Sequence, residues 1–209
     1  MTWEDNLAIR YAFVPGRTVG QQMFRFWDIP HQMASMAALH HKIHHIDAKP
    51  LGDEYHQKIY FEQLINSSER LVQIRDRALN ELYQLPYGDC LCHGDFAPGN
   101  IILNVTGQVV IDWTTGCVGD PAADVANTWL GMGELVPRTN MNRVIKWVSL
   151  YSINRYRHHY VSHAEQDFVG RIDRWLLPVA AARLAAQEAV GVREDNLNIL
   201  HDFIMARWG

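Results

Sequence analysis

The chain has 209 residues, 48% hydrophobic and 20% charged, with a formal net charge of −4, which is enough apolar material for a sizeable core in one soluble domain. That charge supplies no basic field to hold nucleic acid or an anionic membrane, and no run approaches the ~20 apolar residues of a spanning helix. Three cysteines, Cys90, Cys92 and Cys117, form neither an even disulfide framework nor a Cys-x-x-Cys pair, and the N-terminus lacks a basic-then-apolar secretory pattern, so a reducing, cytoplasmic address is expected.

No internal repeat, low-complexity tract or Pro/Gly/Ser-rich linker divides the chain. LAIRYAFV, residues 7–14, reads as a short strand stopped by the Pro15-Gly16 turn signal. Residues 31–46 and 55–83 then carry apolar side chains at helical spacing. Within the second stretch, Asn66 with Glu69 three residues on has capping-box character and allows two helices rather than one. IILNVTGQVVI follows as two β-branched runs around Thr106-Gly107, a hairpin signature. A turn centred between those two residues makes paired numbers sum to about 213, placing Asn100 and Asp112 at the same open end. Gly119-Asp120-Pro121 reads as a helix start, with Asp120 as N-cap and Pro121 at the first helical position, running to about Gly131. Residues 141–160 and 174–190 are amphipathic, the second apolar enough to be a core helix. The fold class is therefore α+β and mainly helical.

The chemistry concentrates in LCHGDFAPGNIILNVTGQVVIDW, residues 91–113. If the hairpin brings Asn100 and Asp112 together, an amide and a carboxylate oxygen converge. These are hard ligands of the kind Mg²⁺ takes while keeping waters and substrate phosphates. Asp95 sits just before them in the Gly/Pro-punctuated turn HGDFAPG. Its spacing to Asn100 is that of a kinase catalytic loop, in which the Asp accepts the substrate hydroxyl proton and the Asn holds the metal. Asp112, followed by an aromatic residue, occupies the place of the second metal-binding acid.

At these residues the sequence resembles the aminoglycoside phosphotransferase and choline kinase-like family. That family writes His-Gly-Asp in its catalytic loop, Ile-Asp-Trp or Ile-Asp-Phe for the metal Asp, and Gly-Asp-Pro shortly after. Here the counterparts are His93-Gly94-Asp95 with Asn100, Ile111-Asp112-Trp113, and Gly119-Asp120-Pro121 continuing to Asp124. The resemblance implies a protein-kinase-like C-terminal lobe with a short catalytic β-hairpin, spanning residues 1–209. In that scheme 1–19 form a hinge-like strand and turn, 20–90 are helical, 91–113 hold the catalytic loop and hairpin, and 119–209 form the helical substrate side. It implies Mg²⁺ and ATP as cofactor and donor, Asp95 as catalytic base, and Asn100 and Asp112 as metal ligands. His93, Gly94, Asp120 and Asp124 would support the site, and Asp124 would brace the catalytic loop. The family's smaller lobe, with its phosphate-covering loop and strand lysine, has no counterpart upstream, so the nucleotide-contacting residues are unassigned and weak nucleotide affinity is expected. Thr114 stands where many relatives carry an acid.

The expected acceptor is a small-molecule alcohol. Glu165, Asp167, Asp173, Glu188, Glu194 and Asp195 in the later helices could attract a cationic one or simply be a solvated surface. Self-association, or a partner covering the face that the small lobe covers in relatives, is a further expectation. A catalytically inactive kinase-like binding or regulatory module is the alternative. The third reading is a histidine-based metal-binding protein. His40/His44 and His41/His45 stand at i, i+4, a chelating spacing, but no adjacent acid completes a zincin pattern, and His158, His159 and His163 form a similar cluster. In bland terms Asp95 would be a turn residue, Asn100 and Asp112 a polar pair closing a hairpin, Asp120 a helix cap, and Gly94 and Gly99 backbone-permissive positions. For His93 a loop-holding hydrogen bond is preferred over proton transfer.

Overall fold

The computed structural model describes residues 12–22, 25–164 and 166–209. Within them the chain runs β1 (Arg17–Thr18), α1 (Val19–Gln22), α2 (Ile29–Ile43), α3 (Gln57–Ser67), α4 (Arg75–Gln84), β2 (Cys90–Cys92), β3 (Ile101–Asn104), β4 (Gly107–Val110), β5 (Cys117–Gly119), α5 (Pro121–Trp129), α6 (Arg143–Val161), α7 (Phe168–Ala189) and α8 (Glu194–Trp208).

Helix α7 is central because it is apolar nearly all round. Ile172, Trp175, Leu176, Leu177, Val179 and Leu184 are all buried, and α3, α4, α5 and α8 pack against the helix. Pro178 lies inside it and withholds one helical N–H, a loss the surrounding packing offsets. Helix α2 lies against α6. It buries Ile29, Met33, Met36, Ala37, His40 and Ile43, a stripe at helical spacing that includes one imidazole. Asn142 caps α6 by accepting hydrogen bonds from the Val144 and Ile145 amides.

Two small sheets carry the loops of interest. β1, β3 and β4 form an antiparallel three-stranded sheet, and β2 pairs antiparallel with β5, setting Cys90 opposite Gly119 and Cys92 opposite Cys117. All three cysteines are free. The β2–β5 ladder places the end of one strand, leading into His93, beside the start of the other, whose own end delivers Asp120 to the N-terminus of α5.

Several sequence expectations are displaced. The strand expected over 7–14 falls outside the described residues as far as position 11, residues 12–14 carry no strand, and β1 begins at Arg17. Helices α3 and α4 do separate, but Asn66 lies inside α3, and the break falls at Ser68, whose extended backbone ends the helix. The hairpin turns one residue earlier than expected, so paired numbers sum to 211: Ile101 pairs with Val110 and Asn104 with Gly107, leaving Val105 and Thr106 as the loop. Glycine at 107 adopts φ +129°, and the Asn104 side chain accepts from both the amide and the hydroxyl of Thr106, an Asx turn that favours the earlier register. No helix among the described residues is long and apolar enough to cross a membrane.

Asp120 shows how the site's frame is anchored to the core. Its Oδ1 accepts from the Ala122 amide as a helix cap, and its Oδ2 accepts from the buried Trp175 indole N–H at 2.9 Å, tying α5 to α7. Trp175→Phe strands that carboxylate oxygen in the interior. The expected loss is about 1–3 kcal/mol in urea denaturation, with an unchanged m value.

Candidate active site

A fully buried carboxylate organises the loop that carries Asp95. Asp124 enters the interior from the first turn of α5 and is 0% exposed. Its Oδ2 lies 3.0 Å from His40 Nε2 and 3.2 Å from His44 Nε2, and accepts the His93 backbone N–H at 2.6 Å; Oδ1 accepts the Gly94 N–H at 2.9 Å. The tyrosine hydroxyls of α6 complete the set, Tyr156 at 2.6 Å from His40 Nδ1 and Tyr160 at 2.6 Å from His44 Nδ1. Burial works against the Asp124 charge, but attraction and hydrogen bonds from His40 and His44 outweigh it and hold the carboxyl well below its ordinary 3.8. Burial, with His44 alongside, pushes His40 down to about 3, so the ring is neutral. Burial also raises both tyrosines far above 10, so they are O–H donors. The proton directions follow: each hydroxyl donates to Nδ1, and each Nε2–H donates to Asp124.

Among the described residues His40, His44 and Asp124 are the one set of three metal-type donors within 4.8 Å of one another. Every imidazole nitrogen in it is already engaged, so the set reads as a hydrogen-bonded brace. No adjacent acid stands beside the His40/His44 pair in the sequence; the acid that meets it arrives from a helix some eighty positions away.

The loop itself is held from all sides. His93 is buried; its Nε2–H donates to the Ile111 carbonyl at 3.0 Å and its Nδ1 accepts the Asp95 amide at 3.2 Å, which fixes both its tautomer and the turn. Trp113 lies against the same ring, with centroids 4.6 Å apart. Gly94 has φ +79°, and a Cβ there would strike the Thr115 backbone. Gly99 has neither a positive φ nor a crowding neighbour, so nothing local requires glycine there. Two side chains that the sequence reading passed over finish the cradle: Asn127 donates to the Gly94 carbonyl and Thr128 to the Phe96 carbonyl at 2.7 Å. Both sit at i+3 and i+4 from Asp124, so the helical period alone was a signal for them.

The reactive set opens on this frame. Asn100, in the one-turn segment Pro98–Asn100, donates from Nδ2 to the Asp95 carbonyl at 2.8 Å and to Asp95 Oδ2 at 3.3 Å, leaving its amide oxygen unspent. With the earlier turn, Asn100 faces Ile111 rather than Asp112: the Ile111 amide donates to the Asn100 carbonyl at 2.9 Å. Asp112 is thus one residue past the ladder. It turns back through a left-handed conformation, φ 63° and ψ 60°, which costs an L-residue about 1–2 kcal/mol and is the one such non-glycine among the described residues. Its exposed carboxylate accepts the Thr114 hydroxyl at 2.8 Å, which gives a role to the residue that departs from the family pattern. Arg183 reaches in from α7: it donates to Asn127 Oδ1 at 2.8 Å and lies 3.7 Å from Asp95 Oδ1. No local motif marks this arginine in the sequence.

A cavity of about 370 Å³ adjoins Asp95, walled by Phe61, Leu64, Val179 and Ala186, with Gln57 and Arg183 among its polar groups. Among the described residues Asp95 is its single acid. The acids offered by the later helices stand elsewhere: Glu188 accepts the Ser68 hydroxyl, Glu194 pairs with Arg70, Asp167 with Arg174 and Asp195 with Arg193. Asp173 is exposed away from the cavity lining, and Glu165 lies outside the described residues.

The sequence profile of the phosphotransferase enzyme family, APH, matches residues 8–159. A thermostable mutant of aminoglycoside phosphotransferase APH(4)-Ia, in its apo form, has TM-score 0.63 at 18% identity over 93% of this chain and 70% of that one. A further variant of that enzyme, in ternary complex with ADP and hygromycin B, has TM-score 0.63 at 16% identity over the same shares. Ethanolamine kinase from Plasmodium vivax has TM-score 0.55 at 16% identity over 93% of this chain and 62% of that one. No curated protein matches the chain. At these identities the structural likeness establishes the fold: α+β, mainly helical and kinase-like.

The brace sets a pH dependence. The unfolded chain takes up a proton on His40 below its ordinary 6.5, whereas the native ring resists until about 3. Its contribution to stability is therefore complete above 6.5 and shrinks as pH falls toward 3, and Asp124, also depressed, acts in the same direction below 3.8. Unfolding free energy should fall on acidification with a slope approaching ~1.4 kcal/mol per pH unit for this one proton, and His40→Gln should flatten that limb in denaturant titrations.

Proposed function

The chain belongs to the phosphotransferase enzyme family, and on that premise we propose that it transfers the γ-phosphoryl group of ATP to a hydroxyl of a small molecule. The carrying observation is the contact of Asn100 Nδ2 with Asp95 Oδ2, beside an Asp112 bent into left-handed backbone at the mouth of the same hairpin. In this reading the half-buried Asp95 is the base that takes the acceptor's proton, and the Asn100 hydrogen bond aims its carboxylate. Asn100 Oδ1 and the Asp112 carboxylate are the oxygens that would hold Mg²⁺, and this donor chemistry fits that ion. Bound there, Mg²⁺ would offset phosphate charge as the γ-phosphoryl is transferred.

The donor side is sparsely provided among the described residues. Lys49 pairs with Asp89, Lys58 donates to the Leu85 carbonyl, Lys146 donates to the Pro137 carbonyl, and Lys42 lines a cleft between α2 and α6. Micromolar or weaker nucleotide affinity follows, and the alternative of a kinase-like binding module is what a complete lack of nucleotide binding would mean. On the acceptor side, a cavity with one acid, one arginine and apolar walls suits a neutral or anionic hydroxyl compound of modest size. It suits a polycation less well, because among the described residues no second carboxylate lines it.

Calorimetric titration with Mg²⁺-ATP is expected to give saturable binding that Asp112→Ala abolishes and Asp95→Asn leaves in place; binding unaffected by Asp112→Ala would sink the metal assignment. With an acceptor in hand, Asp95→Asn should lower kcat by about 10²–10⁴-fold at little change in nucleotide affinity, read in a coupled ADP-release assay.

A further inference from the structure

Two histidine clusters that lie far apart in the chain meet in one place. Helices α2 and α6 pack side by side, and the cleft between them, about 500 Å³, is lined by His41 and His45 from the first and by His159 and His163 from the second side of the contact. Each pair stands at i, i+4, so its two rings project from one face of their own segment. The His41 and His45 rings have centroids 4.5 Å apart, and those of His41 and His163 lie 6.4 Å apart across the cleft.

The proton positions on these rings are settled by their neighbours. His45 Nδ1 lies 2.7 Å from the His41 carbonyl and His163 Nδ1 lies 2.9 Å from the His159 carbonyl. A carbonyl only accepts, so both Nδ1 atoms carry the hydrogen and both Nε2 atoms are left as lone pairs. His41 is the mirror case: its Nε2 donates to the His163 carbonyl at 3.2 Å, which leaves Nδ1 as the lone pair. That Nδ1 is buried and has no hydrogen-bond partner. An imidazole that donates one N–H to a backbone carbonyl and presents the other nitrogen unprotonated has the arrangement that fixes a histidine for a metal. His159 is also held toward the neutral form, by burial and by His158, Arg155 and His163.

We propose that His41, His45, His159 and His163 form a binding site for a borderline transition-metal cation of the Zn²⁺ type, bridging α2 and α6. Imidazole nitrogen suits Zn²⁺ and its neighbours in the series, whereas Mg²⁺ and Ca²⁺ prefer oxygen, so the site is chemically distinct from the Asn100/Asp112 pair. The rings are not yet gathered around a point. No three of their nitrogens lie within 4.8 Å of one another, so ion binding draws them together by rotation about χ1 and χ2 until each is about 2.0–2.1 Å from the metal, with His41 giving up its bond to the His163 carbonyl as it turns. Among the described residues no acid lines the cleft, and Lys42, the one permanent cation among them there, is exposed on a flexible stem. The buried His40 and His44 do not compete, since both nitrogens of each ring are already bonded.

The test is titration of the full chain with Zn²⁺ at pH 7.5 in a non-chelating buffer, followed calorimetrically, with Co²⁺ absorption as the report on coordination. One equivalent should bind with micromolar or tighter affinity, Co²⁺ should give the visible bands of a nitrogen-rich tetrahedral site, and Asp112→Ala should change neither. The double variant His45→Ala/His163→Ala should weaken binding at least tenfold while its metal-free melting temperature stays at the wild-type value. If that variant is misfolded, the single substitutions His45→Gln and His163→Gln carry the same comparison. No stoichiometric binding to the wild-type chain overturns the proposal, as does binding that the histidine variants leave unchanged, which would put the metal on the cysteines or elsewhere.

Discussion

Burying an ionised carboxylate costs several kcal/mol unless every lone pair finds a donor, and the architecture around Asp124 answers that requirement. Two imidazole N–H groups from α2 and two backbone N–H groups from the His93-Gly94 turn converge on its two oxygens. Each donor comes with a consequence. The imidazoles need their own partners, which draws in Tyr156 and Tyr160 and presses α6 against α2. The backbone donors need a turn that exposes consecutive amides, which forces Gly94 into positive φ and presents Asp95 on the far side. One unpaired charge would therefore loosen α2, α5, α6 and the catalytic loop together. That interdependence explains why so polar a network sits in the core.

The candidate reactive groups are placed by element ends rather than by element middles. Asp95 leaves a turn clamped by α5, Asn100 closes a single helical turn, and Asp112 stands one residue beyond a ladder in strained backbone. Local strain at Asp112 is tolerated because its neighbours over-determine it: the hairpin holds residue 111, Trp113 packs on His93, and Thr114 donates to the carboxylate. Arg183 and part of the cavity wall come from α7, the helix against which α3, α4, α5 and α8 pack, so this side of the cavity is anchored in the core. Positioning of this kind is what phosphoryl transfer chiefly demands of a protein.

Histidine plays two opposite parts on one helix. His40 and His44 face inward, where bonds occupy both ring nitrogens of each; His41 and His45 are one position further on and face the cleft beside α6, with lone pairs unspent. The residue type and the i, i+4 spacing are the same in both pairs. A rotation of about 100° around the helix axis separates a structural brace from a set of free nitrogen donors.

Much of the site was legible in the sequence because its chemistry is local. Asp95 and Asn100 are five positions apart in one turn, Asp120 announces a cap by standing before a proline, and the apolar run around residues 174–190 has the composition of a core helix whatever it packs against. The misplacements came where two local signals competed. Thr106-Gly107 looked like the hairpin turn, yet the Asn104 side chain captures Thr106 and moves the turn one residue earlier by its own hydrogen bonds. Asn66 looked like a cap, yet nothing in its own segment ends α3 before Ser68. Sequence alone thus determined the mainly helical α+β fold and singled out Asp95, Asn100 and Asp112 as candidates, since these depend on residue type and short spacing. Only the tertiary structure decided that Asp124 lies between His40 and His44, that Arg183 rather than a second acid faces Asp95, and that two distant histidine pairs share one cleft. Those are pairings across tens of residues, and short-range periodicity carries no information about which faces will meet.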